Sequence, residues 1–278
     1  MTQHPIVPCR LRADSVSVGY GADPVVRDLS LTIGDGRVTT IVGPNGCGKS
    51  TLLRTMARLL KPSSGEVLLD GRPVHRIATR DVARDMALLP QSPIAPDGLL
   101  VRDLVGRGRH PHQRWFSQWS PEDEAIVESA LAMTDTGDLR DRPLEELSGG
   151  QRQRAWIAMT LAQDTDVLLL DEPTTYLDLA HQVEVLDLVT RLNRERGRTV
   201  VMVLHDLNLA ARYSDTVVVM KNGLVVTEGD PVTVFTAEML AETFGLEADV
   251  LIDPGSGLPI IVPTSSATSA HRSPVPAR

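Results

Sequence analysis

Four short apolar runs constrain the fold of this chain more than any other feature of its sequence. Each is long enough for a buried strand, and helical patterns separate them. The runs cover residues 38–42, 86–89, 167–170 and 199–204. This alternation predicts an α/β fold with a mainly parallel sheet covered by helices. Because ligands bind beyond the carboxyl ends of the strands in such sheets, the four strand exits should converge on one crevice.

Two further stretches indicate how the chain is organised around this sheet. Between about residues 92 and 165 there are helix signals but no strand candidates, so we expect a helical subdomain inserted between core strands. Asn222-Gly223 between two apolar runs predicts a hairpin. Residues 263–278 lack an apolar pattern, and we expect them to form a disordered tail.

Composition excludes several classes of protein. The chain has 28 Lys+Arg against 36 Asp+Glu, a net charge of −8, and no basic block, which disfavours nucleic acid as a partner. The apolar runs are too short to span a bilayer. The first ten residues have no apolar signal region, so a cytoplasmic location is expected. With only Cys9 and Cys47, a disulfide is not expected.

The run over 38–42 leads into a segment that fits the pattern G-x-x-x-x-G-K-[ST] and opens a predicted helix. Its glycines would let backbone N–H groups surround phosphates, Lys49 would reach the β and γ phosphates, and Ser50 would ligate Mg²⁺. The alternative is an ordinary glycine turn before a helix. The predicted nucleotide-binding residues here are Gly43, Pro44, Asn45, Gly46, Cys47, Gly48, Lys49, Ser50 and Thr51.

A second motif, Leu147-Ser148-Gly149-Gly150-Gln151, precedes another helical pattern. Ser148 and Gln151 could simply form a capping box, a common start for any helix. That alternative leaves Gly149 and Gly150 unexplained, because glycine in a helix costs up to about 1 kcal/mol relative to alanine. Two bare amides at a helix N-terminus suit an anion. We therefore count residues 148–151 among the predicted nucleotide-binding residues.

Together, the glycine loop, LSGGQ and the VLLLDEP segment at 167–173 resemble the ATP-binding-cassette (ABC) ATPases. The resemblance covers residues 10–262, and it implies a single domain with a P-loop NTPase, RecA-like core. It also implies a small N-terminal antiparallel β region and an inserted helical subdomain carrying LSGGQ. The cofactors would be ATP and Mg²⁺. ATP would lie in a head-to-tail homodimer, between the P-loop of one subunit and LSGGQ of the other.

The resemblance also assigns roles at the other strand exits. Asp171 matches the Mg²⁺-associated aspartate, and Glu172 matches the residue that polarises the attacking water. Their side chains should point to opposite sides of an extended chain. Gln91 occupies the Q-loop position, near metal or water, and His205 resembles the switch histidine that contacts the γ-phosphate. Taken alone, these residues could be an exit turn, a solvated glutamine and a structural histidine.

Two aromatic positions complete the comparison with the family. Tyr20 stands where the family places an aromatic ring against adenine, although a core or surface tyrosine is the alternative. Asp178 belongs to the D-loop and is predicted to contact nucleotide. Tyr176, in the same loop, departs from the small residue usual in the superfamily.

Several segments are similar to one importer subfamily, the ATPases that drive uptake of iron(III)-siderophore complexes. They include GRHPHQ, TTYLDLAHQVEVLDLV and FGLEADVLIDPGSGLPIIVP, and Tyr176 agrees with this subfamily. The implied partners are a two-subunit membrane permease, bound at the cytoplasmic face, and an extracytoplasmic substrate-binding protein. Haem or cobalamin import and a non-transport ATPase of the DNA-repair type are the alternatives. We expect His110 and His112 to be structural or interfacial, not iron ligands.

Overall fold

The computed structural model describes residues 9–21, 23–113 and 119–266. Its first part contributes a four-stranded antiparallel sheet in the order β2-β1-β4-β5. Buried and exposed residues are interspersed along β1 and β2, which is typical of a sheet with one solvated face, whereas β4 is exposed in its first three residues and buried in its last three. The strands are β1 (Leu11–Val18), β2 (Val26–Ile33), β4 (Ser64–Leu69) and β5 (Arg72–Pro73). The expected N-terminal antiparallel region is therefore confirmed.

The second sheet has six strands in the order β10-β9-β3-β8-β7-β6. All neighbours are parallel except the hairpin between β9 and β10, which turns at Asn222-Gly223 as predicted. The four predicted strands are β3, β8, β7 and β6, which lie side by side with β6 at the edge of the sheet, so the α/β prediction is confirmed. The strands are β3 (Val38–Val42), β6 (Met86–Leu89), β7 (Val167–Asp171), β8 (Thr199–Val203), β9 (Thr216–Lys221) and β10 (Leu224–Gly229).

Apolar side chains from this sheet enter two cores. Leu168 and Leu170 pack into the cluster that includes the helices inserted between β6 and β7. Val167 and Leu169 pack into the cluster shared with the N-terminal sheet. Successive residues of a strand face opposite sides, so continuous apolar runs are what a sheet covered on both faces requires.

Nine α-helices occur in the described residues, and most begin or end where the sequence offers a cap. For example, α4 starts with a complete capping box between Ser120 and Asp123, and α6 ends at Gly197 in the left-handed region. The helices are α1 (Lys49–Met56), α2 (Thr79–Asp85), α3 (Val101–Arg107), α4 (Pro121–Met133), α5 (Gly149–Ala162), α6 (Leu179–Arg196), α7 (Leu207–Tyr213), α8 (Pro231–Val234) and α9 (Ala237–Phe244).

Between β6 and β7, the described residues form α3, α4 and α5, which pack on one another and add no strand to either sheet. A buried ion pair joins Arg109, after α3, to Asp123 in α4, with 2.8 Å between Nε and Oδ1. Arg109 also donates to the carbonyl of Ala162 at the end of α5. Next to it, Nε2 of His112 lies 2.8 Å from the carbonyl oxygen of Gln163. These contacts tie the three helices together at one end.

The last two strands of the described residues, β11 (Leu246–Ile252) and β12 (Pro259–Ser266), form an antiparallel hairpin. Our expectation that the disordered tail begins at residue 263 was wrong, because residues 263–266 continue β12. Their polarity hid the strand from the sequence pattern: Thr264 and Ser265 use their hydroxyls to bond Glu247 of β11. The remaining tail, 267–278, lies outside the described residues.

The described helices include none that is both long and apolar enough to cross a membrane. Cys9 and Cys47 are both free thiols.

Candidate functional site

The glycine loop lies between β3 and α1, as the motif requires. Its first residue, Gly43, has φ +155°, and a β-carbon there would lie 2.2 Å from the carbonyl oxygen of Met220 in β9. Only glycine fits this close backbone approach. Cys47 is buried in the loop, and burial raises the pKa of its thiol. The loop is therefore built on the end of the large sheet.

Lys49 is the first residue of α1, and its side chain is buried in the loop. Its Nζ donates to the carbonyl oxygen of Gly43, at 2.8 Å, and to that of Pro44, at 3.1 Å. These bonds hold the ammonium group at the mouth of the loop. The hydroxyl of the next residue, Ser50, donates to Oδ1 of Asp171 at the exit of β7, at 2.7 Å. In the sheet, β8 lies between β7 and β3, the strand that leads into the loop.

Asp171 ends β7 and is fully buried. Its Oδ2 has no hydrogen-bond partner in the described structure, and Nε of Arg54 is 3.8 Å away. Burial raises the pKa of Asp171, although the hydrogen bond from Ser50 and the charge of Arg54 act in the opposite direction. An unpartnered carboxylate oxygen beside a hydroxyl fits a hard cation such as Mg²⁺, which needs only one or two protein oxygens when phosphate supplies others.

Glu172 follows the end of β7 in a left-handed conformation, with φ +55°, and it is held by three side chains, none of which contacts Asp171 in the described structure. Its Oε1 lies 2.6 Å from Nε2 of His205, at the exit of β8. Its Oε2 accepts from Nε2 of Gln91, at 2.6 Å, and from Oγ1 of Thr175, at 3.1 Å. The structure thus brings together the predicted catalytic residues Gln91, Glu172 and His205 from three strand exits.

Thr175 was missed by sequence reasoning. Its contact depends on the left-handed backbone of Glu172, with φ +55°, which turns the chain back on itself. The carbonyl of Glu172 also accepts from the backbone N–H of Thr175, at 3.2 Å. No pattern in the sequence indicates this turn.

Lys49, Gln91, Glu172 and His205 border an open cleft with a volume of about 450 Å³. Tyr20 stands at its rim with 64% of its surface exposed, so the ring is free to contact a ligand. Val25 also lines the cleft, although the sequence did not indicate it. The lining comprises Tyr20, Val25, Asn45, Gly46, Gly48, Lys49, Ser50, Thr51, Gln91, Glu172 and His205.

The LSGGQ segment forms the start of α5 and uses the capping box that the sequence allowed. Gln151 N–H donates to Oγ of Ser148, and Ser148 N–H donates to Oε1 of Gln151, at 3.3 and 3.1 Å. The capping box does not require the glycines: a β-carbon at Gly149 would meet nothing closer than 3.9 Å, and one at Gly150 would meet a methyl group of Leu177 at 3.3 Å.

LSGGQ is exposed and stands apart from the cleft. Ser148 and Gly149 are solvent-accessible, and in the part of the chain that the structure describes no residue of 147–151 lines the cleft. Within one chain, therefore, the two glycine motifs do not meet.

Asp178 also lies outside the cleft lining. It caps α6 by accepting from the backbone N–H of His181, at 3.0 Å, and its Oδ1 is 2.7 Å from Nδ1 of the same histidine. These contacts with His181 lower the pKa of Asp178. Beside it, Tyr176 is 80% exposed, with a left-handed φ of +66°. The loop presents both residues to solvent.

The sequence of this chain is similar to a family model and to known proteins over most of its length. Residues 26–175 match the family model described as ABC transporter. The chain is 50% identical over 250 residues to the iron(3+)-hydroxamate import ATP-binding protein FhuC of Bacillus subtilis, covering 90% of this chain and 93% of the relative. It is 48% identical over 254 residues to the ferric enterobactin transport ATP-binding protein FepC of Escherichia coli, covering 91% and 94%.

The fold is also similar to solved structures of a transporter and of an ATP-binding cassette. A transporter described as of the metal-chelate type, in an inward-facing conformation, aligns with a TM-score of 0.79 at 27% identity and covers 94% of this chain and 99% of that one. A dimeric ATP-binding cassette bound to ADP and phosphate, in a post-hydrolysis state, aligns with a TM-score of 0.71 at 28% identity and covers 79% and 98%.

Proposed function

This chain belongs to the ABC transporter family of ATP-binding proteins, and on that premise we propose that it powers an importer of iron(III)-siderophore complexes by hydrolysing ATP. The observation that carries the substrate class is the near-complete alignment, at 48% to 50% identity, with ATPases named for ferric hydroxamate and ferric enterobactin. Haem and cobalamin remain the alternative cargoes. The two core clusters share one large sheet, which supports a single ATPase domain over residues 10–262.

ATP would occupy the cleft beside the glycine loop. Backbone N–H groups of residues 43–51, except at Pro44, which has none, and the ammonium of Lys49 would hold the phosphates, with the positive end of α1 behind them. The exposed ring of Tyr20 would stack on adenine. Lys49 would exchange its bonds to the Gly43 and Pro44 carbonyls for phosphate oxygens, which are stronger acceptors for a charged donor.

Ser50 and Asp171 would hold Mg²⁺, with Gln91 at the edge of its shell. When bound, the ion neutralises charge on the β- and γ-phosphate oxygens. The support in this chain is the hydroxyl-carboxylate pair at 2.7 Å and the unpartnered Oδ2 of Asp171.

Glu172 would act on the attacking water as a hydrogen-bond acceptor. Its carboxylate is held by donors from Gln91 and Thr175, so its orientation is fixed before water binds. His205 would donate a hydrogen bond to the γ-phosphate from Nε2, the same atom that lies against Glu172. The Glu172 carboxylate thus connects Gln91, at the exit of β6, with His205, at the exit of β8.

A second copy of the chain would complete the site. LSGGQ is exposed and remote from its own cleft, so Ser148, Gly149, Gly150 and Gln151 would reach the γ-phosphate bound by a partner, with Asp178 beside them. The dimeric arrangement of a related cassette supports this homodimer. ATP would then favour the closed dimer because it contacts both halves, and hydrolysis would remove that bridge.

The partner in the membrane would be a two-subunit permease, docked through the segment after Gln91 at the cytoplasmic face, with a substrate-binding protein on the other side. Ile94 supports this surface, because it is an aliphatic side chain with 91% of its area exposed. The iron chelate would be carried by those partners and not by this chain.

Uptake of labelled ligands in a strain that lacks the gene tests the proposal. Ferric hydroxamates and ferric enterobactin, haem and cobalamin would be offered separately, with the wild-type chain or Lys49→Ala restored. Restoration of ferric siderophore uptake by the wild type alone is the expected result. Uptake restored only for haem or cobalamin would transfer the proposal to that cargo, and unchanged uptake of all four would favour a non-transport ATPase.

A further inference from the structure

The C-terminal hairpin is attached to the helix that follows His205. Ala248 of β11 and Ile261 of β12 are buried in the same core cluster as Leu209 and Ala210 of α7. The hairpin lies outside the segments that carry the predicted site residues, and none of its residues lines the cleft in the described structure. Its function in the ATPase is therefore open.

Asn208, in α7, makes two hydrogen bonds to a single residue of β12. The backbone N–H of Ile261 donates to Oδ1 of Asn208, at 2.7 Å, and Nδ2 of Asn208 donates to the carbonyl oxygen of Ile261, at 3.2 Å. A carboxamide offers the donor and acceptor of a peptide group, so the side chain acts as an additional strand neighbour. Ile261 pairs with Val250 on the other side, which places Asn208 at the free edge of the hairpin.

This contact lies close in sequence to the nucleotide site. Only residues 204–206 connect the end of β8 to the start of α7, and His205 is the middle one. Asp206 caps α7 by accepting from the backbone N–H of Leu209, at 2.9 Å. A helix of seven residues is not stable alone, so its position is set by what it packs on. The hairpin is one such support, and Asn208 is its polar attachment.

We propose that Asn208 is a positioning residue: by fastening α7 to the C-terminal hairpin, it keeps His205 aligned with Glu172 and with the γ-phosphate. The proposal rests on the proposed function, because it requires His205 to act on ATP. Asn208 does not line the cleft, so it acts through the three-residue connection and not by touching nucleotide.

A double-mutant cycle of ATP hydrolysis tests the proposal in the full-length chain. Asn208→Ala should lower kcat by roughly 10- to 100-fold, as misplacement of a catalytic group does, with little change in KM for ATP. In a His205→Ala background the same substitution should change kcat by less than about 2-fold, because the residue that it positions is gone. Ser265→Ala, which removes a hydrogen bond within the hairpin away from Asn208, is the matched control and should retain wild-type kcat.

Asn208→Asp provides a second variant that keeps the acceptor for the Ile261 N–H but places a carboxylate oxygen against the Ile261 carbonyl. Like Asn208→Ala, this variant should lower kcat, and its circular dichroism spectrum should be that of a folded chain. Equal fold-losses in the wild-type and His205→Ala backgrounds, or wild-type kcat for both Asn208 variants, would overturn the proposal. Wild-type turnover by His205→Ala itself would instead refute the role of His205 on which the proposal rests.

Discussion

The imidazole of His205 contacts the carboxylate of Glu172 directly, with 2.6 Å between Nε2 and Oε1. The two residues follow adjacent parallel strands, β8 and β7, so the register of the sheet brings the strand exits together. Gln91 joins them from β6, the next strand in the sheet. Three neighbouring strands therefore supply an acceptor and two donors at one place.

Glu172→Gln should lower the rate of ATP hydrolysis by about 10² to 10⁴-fold, because the amide is a far weaker acceptor for a proton from water. ATP binding should persist, so the ATP-bound dimer should last longer. Phosphate release and size-exclusion chromatography with ATP measure the two effects. Glu238→Gln, an exposed carboxylate at the start of α9, is the matched control. Normal turnover by Glu172→Gln would mean that another group activates water.

Mixing two inactive variants tests whether the cleft and LSGGQ act across two chains. Lys49→Ala and Ser148→Arg should each be inactive alone. In a mixed dimer, one site carries both substitutions and the other carries neither. Random pairing makes about half of the dimers mixed, so roughly a quarter of the wild-type activity should return if sites act independently. If the two motifs worked within one chain, both sites of the mixed dimer would be damaged and no activity would return.

Asp171→Asn should raise the stability of the protein at neutral pH in the absence of nucleotide and divalent cations. Burial raises the pKa of Asp171 above its ordinary value of 3.8, so the folded state binds the proton more tightly than the unfolded state. The stability of the wild type therefore falls as pH rises from the unfolded pKa through the folded pKa. The difference in Tm between variant and wild type, measured from pH 4 to pH 8, should increase with pH. A variant that melts below the wild type at pH 7 would contradict this cause.

Arg109→Met should destabilise the helical segment between β6 and β7. Removing the guanidinium leaves the Asp123 carboxylate buried without its partner, and such a loss costs about 3–5 kcal/mol. Only 5% of the Arg109 side chain and 10% of the Asp123 side chain are exposed. Arg102→Met is the matched control, because its ion pair with Asp141 is exposed and worth at most about 1 kcal/mol. Urea unfolding measures both, and equal losses would show that the burial of the pair has no role.

The strands and the glycine loop were predictable because their signals are local. A strand buried on both faces needs an apolar run, and the close approach of Gly43 to Met220 needs glycine. The sequence also placed Glu172 and His205 at strand exits, and resemblance to a family supplied their roles.

The contacts that were missed depend on local turns or on distant partners that residue patterns do not indicate. Thr175 reaches Glu172 only because the backbone of Glu172 adopts a left-handed conformation. The end of β12 is polar and pairs with Glu247 through hydroxyl groups. In the sequence, this polar segment looked the same as a disordered tail. Asn208 looked like any polar helix residue, since its value as a strand neighbour arises only when Ile261 is beside it.

The separation of LSGGQ from the cleft within one chain determines how the rate of ATP hydrolysis depends on subunit concentration. Under the proposed dimer, hydrolysis by free subunits is a second-order process, so halving their concentration lowers the rate per subunit as well as the total rate. A permease that holds two copies side by side would replace this dependence on encounter with a fixed local concentration. Subunits without a transporter would then hydrolyse little ATP, and the total rate of ATP hydrolysis would be proportional to the number of assembled importers.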